Sequence, residues 1–114
     1  MCTQSQLNKI TGEVSKKVRN VLGDRLHSII LYGSYARGDF DDESDVDIMV
    51  LADINNDELP YYRNVICGIS SDISLENNIM VSAFLKDRKF FNDHINMLPF
   101  YRNVIAEGVT IYGR

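Results

Sequence analysis

The residues of this chain that could do chemistry together are a glycine-serine pair and two aspartates that follow it. Ten residues separate Gly33-Ser34 from Asp45, and Asp47 follows after a single valine. A glycine-serine turn lets backbone N–H groups approach phosphate oxygens closely, because glycine carries no side chain. Carboxylates supply the oxygen ligands that hard cations such as Mg²⁺ prefer. Together these residues have the chemistry needed to hold a triphosphate through a divalent metal.

Each half of this pattern adjoins an apolar segment that is typical of a buried strand. One strand is predicted over 27–32, directly before the glycine, and a second over 46–52, beginning between the two aspartates. Side chains on a strand point alternately to its two faces. Asp45 and Asp47 are therefore predicted to share one face, while Val46 between them points into a core on the other.

Residues around the turn extend the candidate phosphate site. The Ser34 hydroxyl and amide can both donate to a phosphate oxygen, and Gly33, Ser34 and Arg37 are the candidate nucleotide-binding residues. Arg37 either adds a cation beside the phosphate or forms a surface ion pair with a nearby acid. Those alternative partners are Asp39, Asp41 and Asp42. Tyr35 either contacts a nucleobase or only covers the turn.

The elements that must position these residues alternate between strand and helix patterns. The predicted order is helix 4–22, strand 27–32, strand 46–52, helix 57–71, strand 78–85, a helix through Phe90, Phe91 and Ile95, helix 98–106 and strand 109–112. This order predicts an α/β or α+β fold, with a small mixed sheet flanked by helices. The length fits a single domain over 1–114. Among the aromatic residues, Phe90, Phe91 and Phe100 are predicted to lie in the core.

Composition excludes several classes of function. The net charge of −4 argues against broad nucleic-acid binding, which requires a basic face. No stretch has the charged start and long apolar run of a signal peptide or membrane span, so a cytoplasmic location without membrane contact is expected. Cys2 and Cys67 lack metal-ligand spacing and are interpreted as reduced thiols. His27 and His94 are interpreted as surface residues, with no zinc site.

One segment of the chain occurs twice with a single difference. Residues 59–66 and 98–105 match except that Tyr61 stands where the second copy has Phe100. The flanking sequences do not match, which argues against a duplicated domain. The favoured interpretation is two helix starts with proline in the first turn. The alternative is a paired aromatic and arginine surface for a partner.

The spacing of Gly33-Ser34 and Asp45-Val46-Asp47 resembles that of the minimal nucleotidyltransferases of the DNA polymerase β superfamily. The resemblance implies a palm-like nucleotidyltransferase fold over most of the chain. It also implies that the turn binds the triphosphate of ATP, and that Asp45 and Asp47 are the catalytic residues and hold two Mg²⁺ ions. Two such ions about 3.5–4 Å apart can clamp the attacking and leaving oxygens of an in-line displacement.

The predicted third strand departs from the family pattern. Active members place a third carboxylate there, whereas this strand carries Met80 or Ser82 at the corresponding level. Serine is a poor replacement for a carboxylate on Mg²⁺. Three acids flank the strand and are interpreted as helix-end or surface charges: Asp72, Glu76 and Asp87.

Two functions therefore stay open. The first is a Mg²⁺-dependent enzyme that transfers a nucleoside monophosphate to a hydroxyl group. The favoured nucleoside monophosphate is AMP, taken from ATP. A chain of this length is expected to borrow its acceptor site from another chain, in a homo- or hetero-oligomer. The resemblance implies a helical HEPN protein as that partner, with this chain as the antitoxin of a toxin-antitoxin pair. The second is a catalytically weak or inactive nucleotide-binding module that neutralises or regulates a partner by binding.

Overall fold

The computed structural model describes residues 3–38 and 45–113. Their helices and strands follow the predicted order closely. The elements are α1 (Gln4–Leu22), a short 3₁₀ turn (Gly23–Arg25), β1 (Leu26–Tyr32), α2 (Ser34–Arg37), β2 (Val46–Ala52), α3 (Leu59–Asn77), β3 (Val81–Asp87), α4 (Arg88–His94), α5 (Pro99–Glu107) and β4 (Val109–Gly113).

The first helix forms where its sequence pattern predicts it. Its apolar residues recur at three- and four-residue steps, and those facing the sheet are buried. The Thr3 side chain accepts a hydrogen bond from the Gln6 amide and caps the first turn. Gly23 ends the helix with a φ of 54°. These features confirm the predicted helix over 4–22.

Four strands among the described residues form one mixed sheet in the order β3-β2-β1-β4. β1 pairs antiparallel with both β2 and β4, whereas β2 and β3 are parallel. Apolar residues of α1 and α3 pack on one face of the sheet, and those of α4 and α5 pack on the other. This architecture confirms the predicted α+β class and the mixed sheet flanked by helices.

Alternation along β2 separates two cores. Val46 and Ile48 are fully buried in the larger core beneath α1 and α3. Met49 and Leu51 point to the opposite face, into a smaller core beneath α4 and α5. Asp47 shares this second face, at the end of the strand where that core stops. The sheet therefore presents the aspartates beside α5, away from α1 and α3.

The boundary between α3 and β3 differs from the prediction. The helix continues beyond the predicted end near residue 71 to Asn77, so β3 starts later than residue 78. Buried Asn77 donates a hydrogen bond to the Ile73 carbonyl at 2.8 Å, and Gln6 of α1 donates to the Asn77 carbonyl at 3.0 Å. Asn78 then ends the helix in the left-handed region, with a φ of 53°. Packing against a distant helix thus extends α3 past its apolar pattern.

The phenylalanines divide between core and surface. Phe91 is fully buried and stacks on Tyr101 with ring centroids 4.6 Å apart. Phe90 and Phe100 are 47% and 48% exposed, so their predicted core positions were wrong. Each precedes a buried aromatic residue in a short helix, and successive helical side chains point in different directions. Tyr35 is buried in the larger core, which leaves it little surface for a nucleobase and favours the alternative that it only covers the turn.

The helices of the described residues can be compared with what a membrane-spanning helix requires. None of the helices within residues 3–38 and 45–113 combines the length and apolar character that crossing a bilayer requires.

Candidate functional site

The turn that the sequence predicts to bind phosphate, the phosphate turn, spans residues 33–38 and begins where β1 ends. Gly33 has a φ of 79° and a ψ of −157°, a conformation essentially restricted to glycine. Its carbonyl accepts hydrogen bonds from the amides of Ala36 and Arg37, both at 3.1 Å, and the Gly38 amide closes the turn on the Ser34 carbonyl. The amide and hydroxyl of Ser34 stand at the start of this single helical turn, where N–H groups have no acceptor within the helix. The turn can therefore present donors to an anion.

The turn touches one of the two aspartates. Tyr32 and Asp47 are paired across β1 and β2, which brings Gly33 against the Asp47 carboxylate. A Cβ atom built on Gly33 would lie 2.5 Å from Asp47 Oδ2, closer than real Cβ contacts allow. Glycine is thus required by its backbone conformation, and a Cβ atom at this position would also force the Asp47 carboxylate to move.

The two aspartates are close enough to influence each other. Asp45 is exposed directly before β2, and Asp47 is partly buried on the same strand face. Partial burial raises the pKa of Asp47 and the neighbouring Asp45 charge raises it further, while Arg37 opposes both effects. Each cause of the higher pKa disfavours the ionised carboxylate. A cation bound between the two groups would relieve both penalties.

The turn, Asp47 and α5 enclose a cleft of about 380 Å³. This volume lies within the range of about 300–1,000 Å³ for small-molecule sites. Its walls are formed by Tyr32, Gly33, Ser34, Arg37, Asp47, Phe100, Asn103, Val104 and Glu107. The structure thus brings Gly33, Ser34, Arg37 and Asp47 together. The α5 wall was missed by the sequence reasoning, and the repeated segment at 98–105 was the signal that could have indicated it.

The polymerase beta nucleotidyltransferase family matches residues 16–114 of the chain. The match includes the turn, both aspartates and α5. The chain belongs to this family. It is a nucleotidyltransferase, and the predicted membership of the polymerase β superfamily is confirmed.

Relatives of this nucleotidyltransferase occur in Methanocaldococcus jannaschii, where two chains are provisionally named protein adenylyltransferases. One is 35% identical over 88 residues, which cover 77% of this chain and 80% of the relative. The other is 34% identical over 98 residues, which cover 84% of this chain and 95% of the relative. The similarity therefore extends over most of this chain and most of both relatives.

Three solved structures share the fold of this nucleotidyltransferase. A provisionally described nucleotidyltransferase from Sulfolobus solfataricus gives a TM-score of 0.61 at 20% identity, covering 97% of this chain and 84% of that chain. A toxin-antitoxin complex with AMP-PNP gives a TM-score of 0.57 at 21% identity, covering 91% of this chain and 73% of that chain. The third structure is a tri-AMPylated HEPN toxin of Shewanella oneidensis in complex with MNT antitoxin. It gives a TM-score of 0.51 at 18% identity, covering 94% of this chain and 72% of that chain. At these identities the likeness shows the fold alone.

The nucleotidyltransferase family generally uses a nucleoside triphosphate and a divalent metal, and the donor set here fits Mg²⁺. This ion commonly binds through one or two carboxylates together with substrate phosphates. Asp45 and Asp47 supply the carboxylates beside the phosphate turn. Within residues 3–38 and 45–113, His, Cys, Asp and Glu side chains form no cluster of three or more that could hold a metal without such help. The expected ligand is therefore a metal-nucleotide complex.

The residue of β3 that is paired with Asp47 is not an acid. Ser82 is the β3 partner of Asp47 in the parallel register, the level at which the family pattern has a carboxylate. Asp87 accepts hydrogen bonds from the Ile54 and Phe90 amides, at 3.2 and 3.1 Å, and caps α4. This confirms its interpretation as a helix-end charge. The side chain next to the paired aspartates is thus a hydroxyl.

Arg37 links the turn of this nucleotidyltransferase to α5. Its Nη1 lies 3.1 Å from Glu107 Oε2, a partner that the sequence reasoning did not consider. Both side chains are about 40% exposed, and an ion pair at this exposure contributes at most about 1 kcal/mol. The alternative partners Asp39, Asp41 and Asp42 lie outside the described residues. A pair this weak does not by itself fix the position of the Arg37 guanidinium.

Proposed function

We propose that this chain acts as a single nucleotidyltransferase domain that transfers AMP from ATP, with Mg²⁺, to a hydroxyl of a protein partner. The observation that carries the proposal is the approach of Gly33 to Asp47, which joins a phosphate turn and a metal-binding carboxylate in one cleft. The provisional names of the Methanocaldococcus relatives support protein adenylylation as the reaction.

Each site residue then has a role that follows from its chemistry. Ser34 donates its amide and hydroxyl to the triphosphate tail, and Arg37 offsets part of the tail's charge. Asp45 and Asp47 are the catalytic carboxylates that would hold Mg²⁺. When bound, the metal neutralises charge on the phosphates and on the pyrophosphate leaving group. The chain mainly positions groups, as is usual in phosphoryl transfer.

The direction of attack follows from the same geometry. The acceptor oxygen bonds to the α-phosphorus as the bond to pyrophosphate breaks, and the acceptor proton passes to solvent. Attacking and leaving oxygens are roughly in line, so a tail at the turn beside β1 directs the acceptor to the β3 side of Asp47. On that side Ser82 is flanked by Met80 and Phe84, which are 57% and 48% exposed. An apolar surface beside the carboxylates favours a protein acceptor over a small polar one.

A helical HEPN protein is the proposed partner, with this chain as its antitoxin. The support is structural likeness to MNT antitoxins, one of them in complex with a tri-AMPylated HEPN toxin. A second function stays in competition because the neighbour of Asp47 is Ser82, a weak metal ligand. In that case the chain binds nucleotide and neutralises its partner by covering it, without turnover.

One experiment distinguishes the enzyme from the binding module. A candidate HEPN partner is co-expressed with this chain, incubated with ATP and Mg²⁺ and analysed by intact-mass spectrometry. The Asp45→Asn/Asp47→Asn variant removes both carboxylates, and Asp57→Asn, at an exposed aspartate outside the cleft, is the matched control. AMP added by wild type and Asp57→Asn alone establishes the enzyme. A stable complex that binds ATP but gains no mass establishes the binding module.

A further inference from the structure

The α5 wall of the cleft carries an aromatic ring that is held in place and still exposed. Phe100 packs edge-on against Tyr32, with ring centroids 5.5 Å apart and planes at 84°. Almost half of its surface nevertheless remains accessible, and the residue lines the same cleft as Gly33, Ser34 and Asp47. A fixed, half-exposed aromatic ring is the usual platform on which a nucleobase stacks.

An amide lies beside this ring. Asn103 follows Phe100 by three residues in α5, so the two side chains lie on one face of the helix. Asn103 is exposed and lines the same cleft. Among the described residues its amide has no hydrogen-bond partner, although it carries donors and an acceptor. The cleft therefore combines a stacking surface with an uncommitted amide.

The repeated segment separates the effect of sequence from that of position. Tyr61 and Asn64 are the counterparts of Phe100 and Asn103 in α3, and both are exposed. That helix packs on the opposite face of the sheet, and neither residue lines the cleft. The fold thus places one copy of the aromatic-amide pair at the nucleotide site and keeps the other away from it.

We infer that Phe100 and Asn103 form the subsite for the base of the nucleotide and that this subsite selects adenine over guanine. The inference rests on the proposed function, since it assigns the base of the triphosphate held by Ser34 and Asp47. The base stacks on Phe100. The Asn103 carbonyl accepts from the adenine N6 amino group while its NH₂ donates to N7, a pairing that asparagine makes well. Guanine presents an acceptor, O6, in place of the amino group and leaves the carbonyl unmatched.

The test is calorimetric binding of non-hydrolysable ATP and GTP analogues and of inorganic tripolyphosphate, each with Mg²⁺. Phe100→Leu removes the aromatic face and keeps an apolar side chain. Phe100→Tyr restores the ring, and α3 already accommodates tyrosine at the equivalent position. Asn103→Ala removes the amide. Tyr61→Leu and Asn64→Ala are the matched controls in α3.

Wild type is expected to bind the ATP analogue more tightly than the GTP analogue by roughly five- to 100-fold, the discrimination typical of one bidentate pair. Asn103→Ala should abolish most of that preference. Phe100→Leu should weaken both nucleotides by roughly five- to 100-fold, with recovery in Phe100→Tyr. Tripolyphosphate binding should be the same in every variant, because it uses only the turn and the metal.

The outcomes separate the subsite from the proposed function. Unchanged nucleotide affinities and preference in Phe100→Leu and Asn103→Ala overturn the subsite while leaving the proposed function intact. Equal losses for tripolyphosphate also overturn it, because they indicate damage to the phosphate turn. Failure of wild type to bind either ATP or tripolyphosphate overturns both proposals.

Discussion

Replacing Gly33 by alanine tests whether the turn and the carboxylate are built around each other. The substitution puts a Cβ atom 2.5 Å from Asp47 Oδ2, while the next nearest atoms of that side chain, Cγ and Cβ, lie at 3.4 and 3.5 Å. It also forces alanine into a φ of 79° and a ψ of −157°. The carboxylate, the turn or both must move.

The expected cost has two parts. The backbone conformation alone costs about 1–3 kcal/mol for a residue other than glycine. The clash with Oδ2 adds about 0.5–1.5 kcal/mol, because that oxygen ends a side chain that can rotate away from its preferred rotamer. Gly33→Ala should therefore lower the free energy of unfolding by about 1.5–4.5 kcal/mol. Transferase activity should fall with it, because Asp47 is displaced from the phosphate turn.

Urea unfolding followed by far-UV circular dichroism measures this cost, and two further variants divide it. Gly38→Ala, at a φ of 82° with nothing within 4 Å of the new Cβ atom, should cost only about 1–2 kcal/mol. Asp47→Ala removes Oδ2, so Gly33→Ala in that background should retain the backbone strain alone. The same destabilisation by Gly33→Ala in both backgrounds would refute the claim that the glycine makes room for the carboxylate.

Three further predictions concern charges at the cleft. Burial raises the pKa of Asp47, so ionisation of its carboxyl group lowers the stability of the folded chain as the pH rises. Asp47→Asn should therefore unfold at a higher temperature than wild type near neutral pH. This advantage should disappear towards about pH 4, where the carboxyl group is protonated in the folded and unfolded states alike. Glu107→Gln should change stability by less than about 1 kcal/mol yet tighten tripolyphosphate binding in calorimetry, because it removes from the cleft a negative charge that repels the anion. Ser82→Asp should strengthen Mg²⁺ binding relative to Ser82→Asn; equal affinities would contradict a metal site beside β3.

The parts of the site that the sequence predicts are local ones. Gly33-Ser34 adjoins its strand directly, and the alternation of β2 determines which face Asp45 and Asp47 share. Both depend on backbone geometry that nearby residues establish without help from distant packing. The interpretation of Asp87 as a helix-end charge was confirmed for the same reason, since a capping residue bonds to amides a few positions away.

The parts that the sequence could not provide depend on distant contacts. Whether Phe100 is buried depends on how α5 meets β1, and one of two nearly identical segments reaches the cleft while the other lies across the sheet. The extension of α3 depends on Gln6 of α1, which binds the carbonyl of Asn77. The repeat marks both copies alike, so it does not show which of them reaches the cleft. Identical residues take different roles because the tertiary structure, and not the segment, determines their neighbours.

The unfavourable local features of this chain are concentrated at one point. Gly33 occupies a conformation that other residues resist, Asp45 and Asp47 repel each other, and partial burial raises the pKa of Asp47. The opposite face of β2 is fully apolar, which shows that the sheet can be packed without such costs. A surface that only covers a partner gains nothing from paired carboxylates against a strained turn. A bound metal and triphosphate turn the same features into favourable contacts, and this argues for nucleotide chemistry at the cleft.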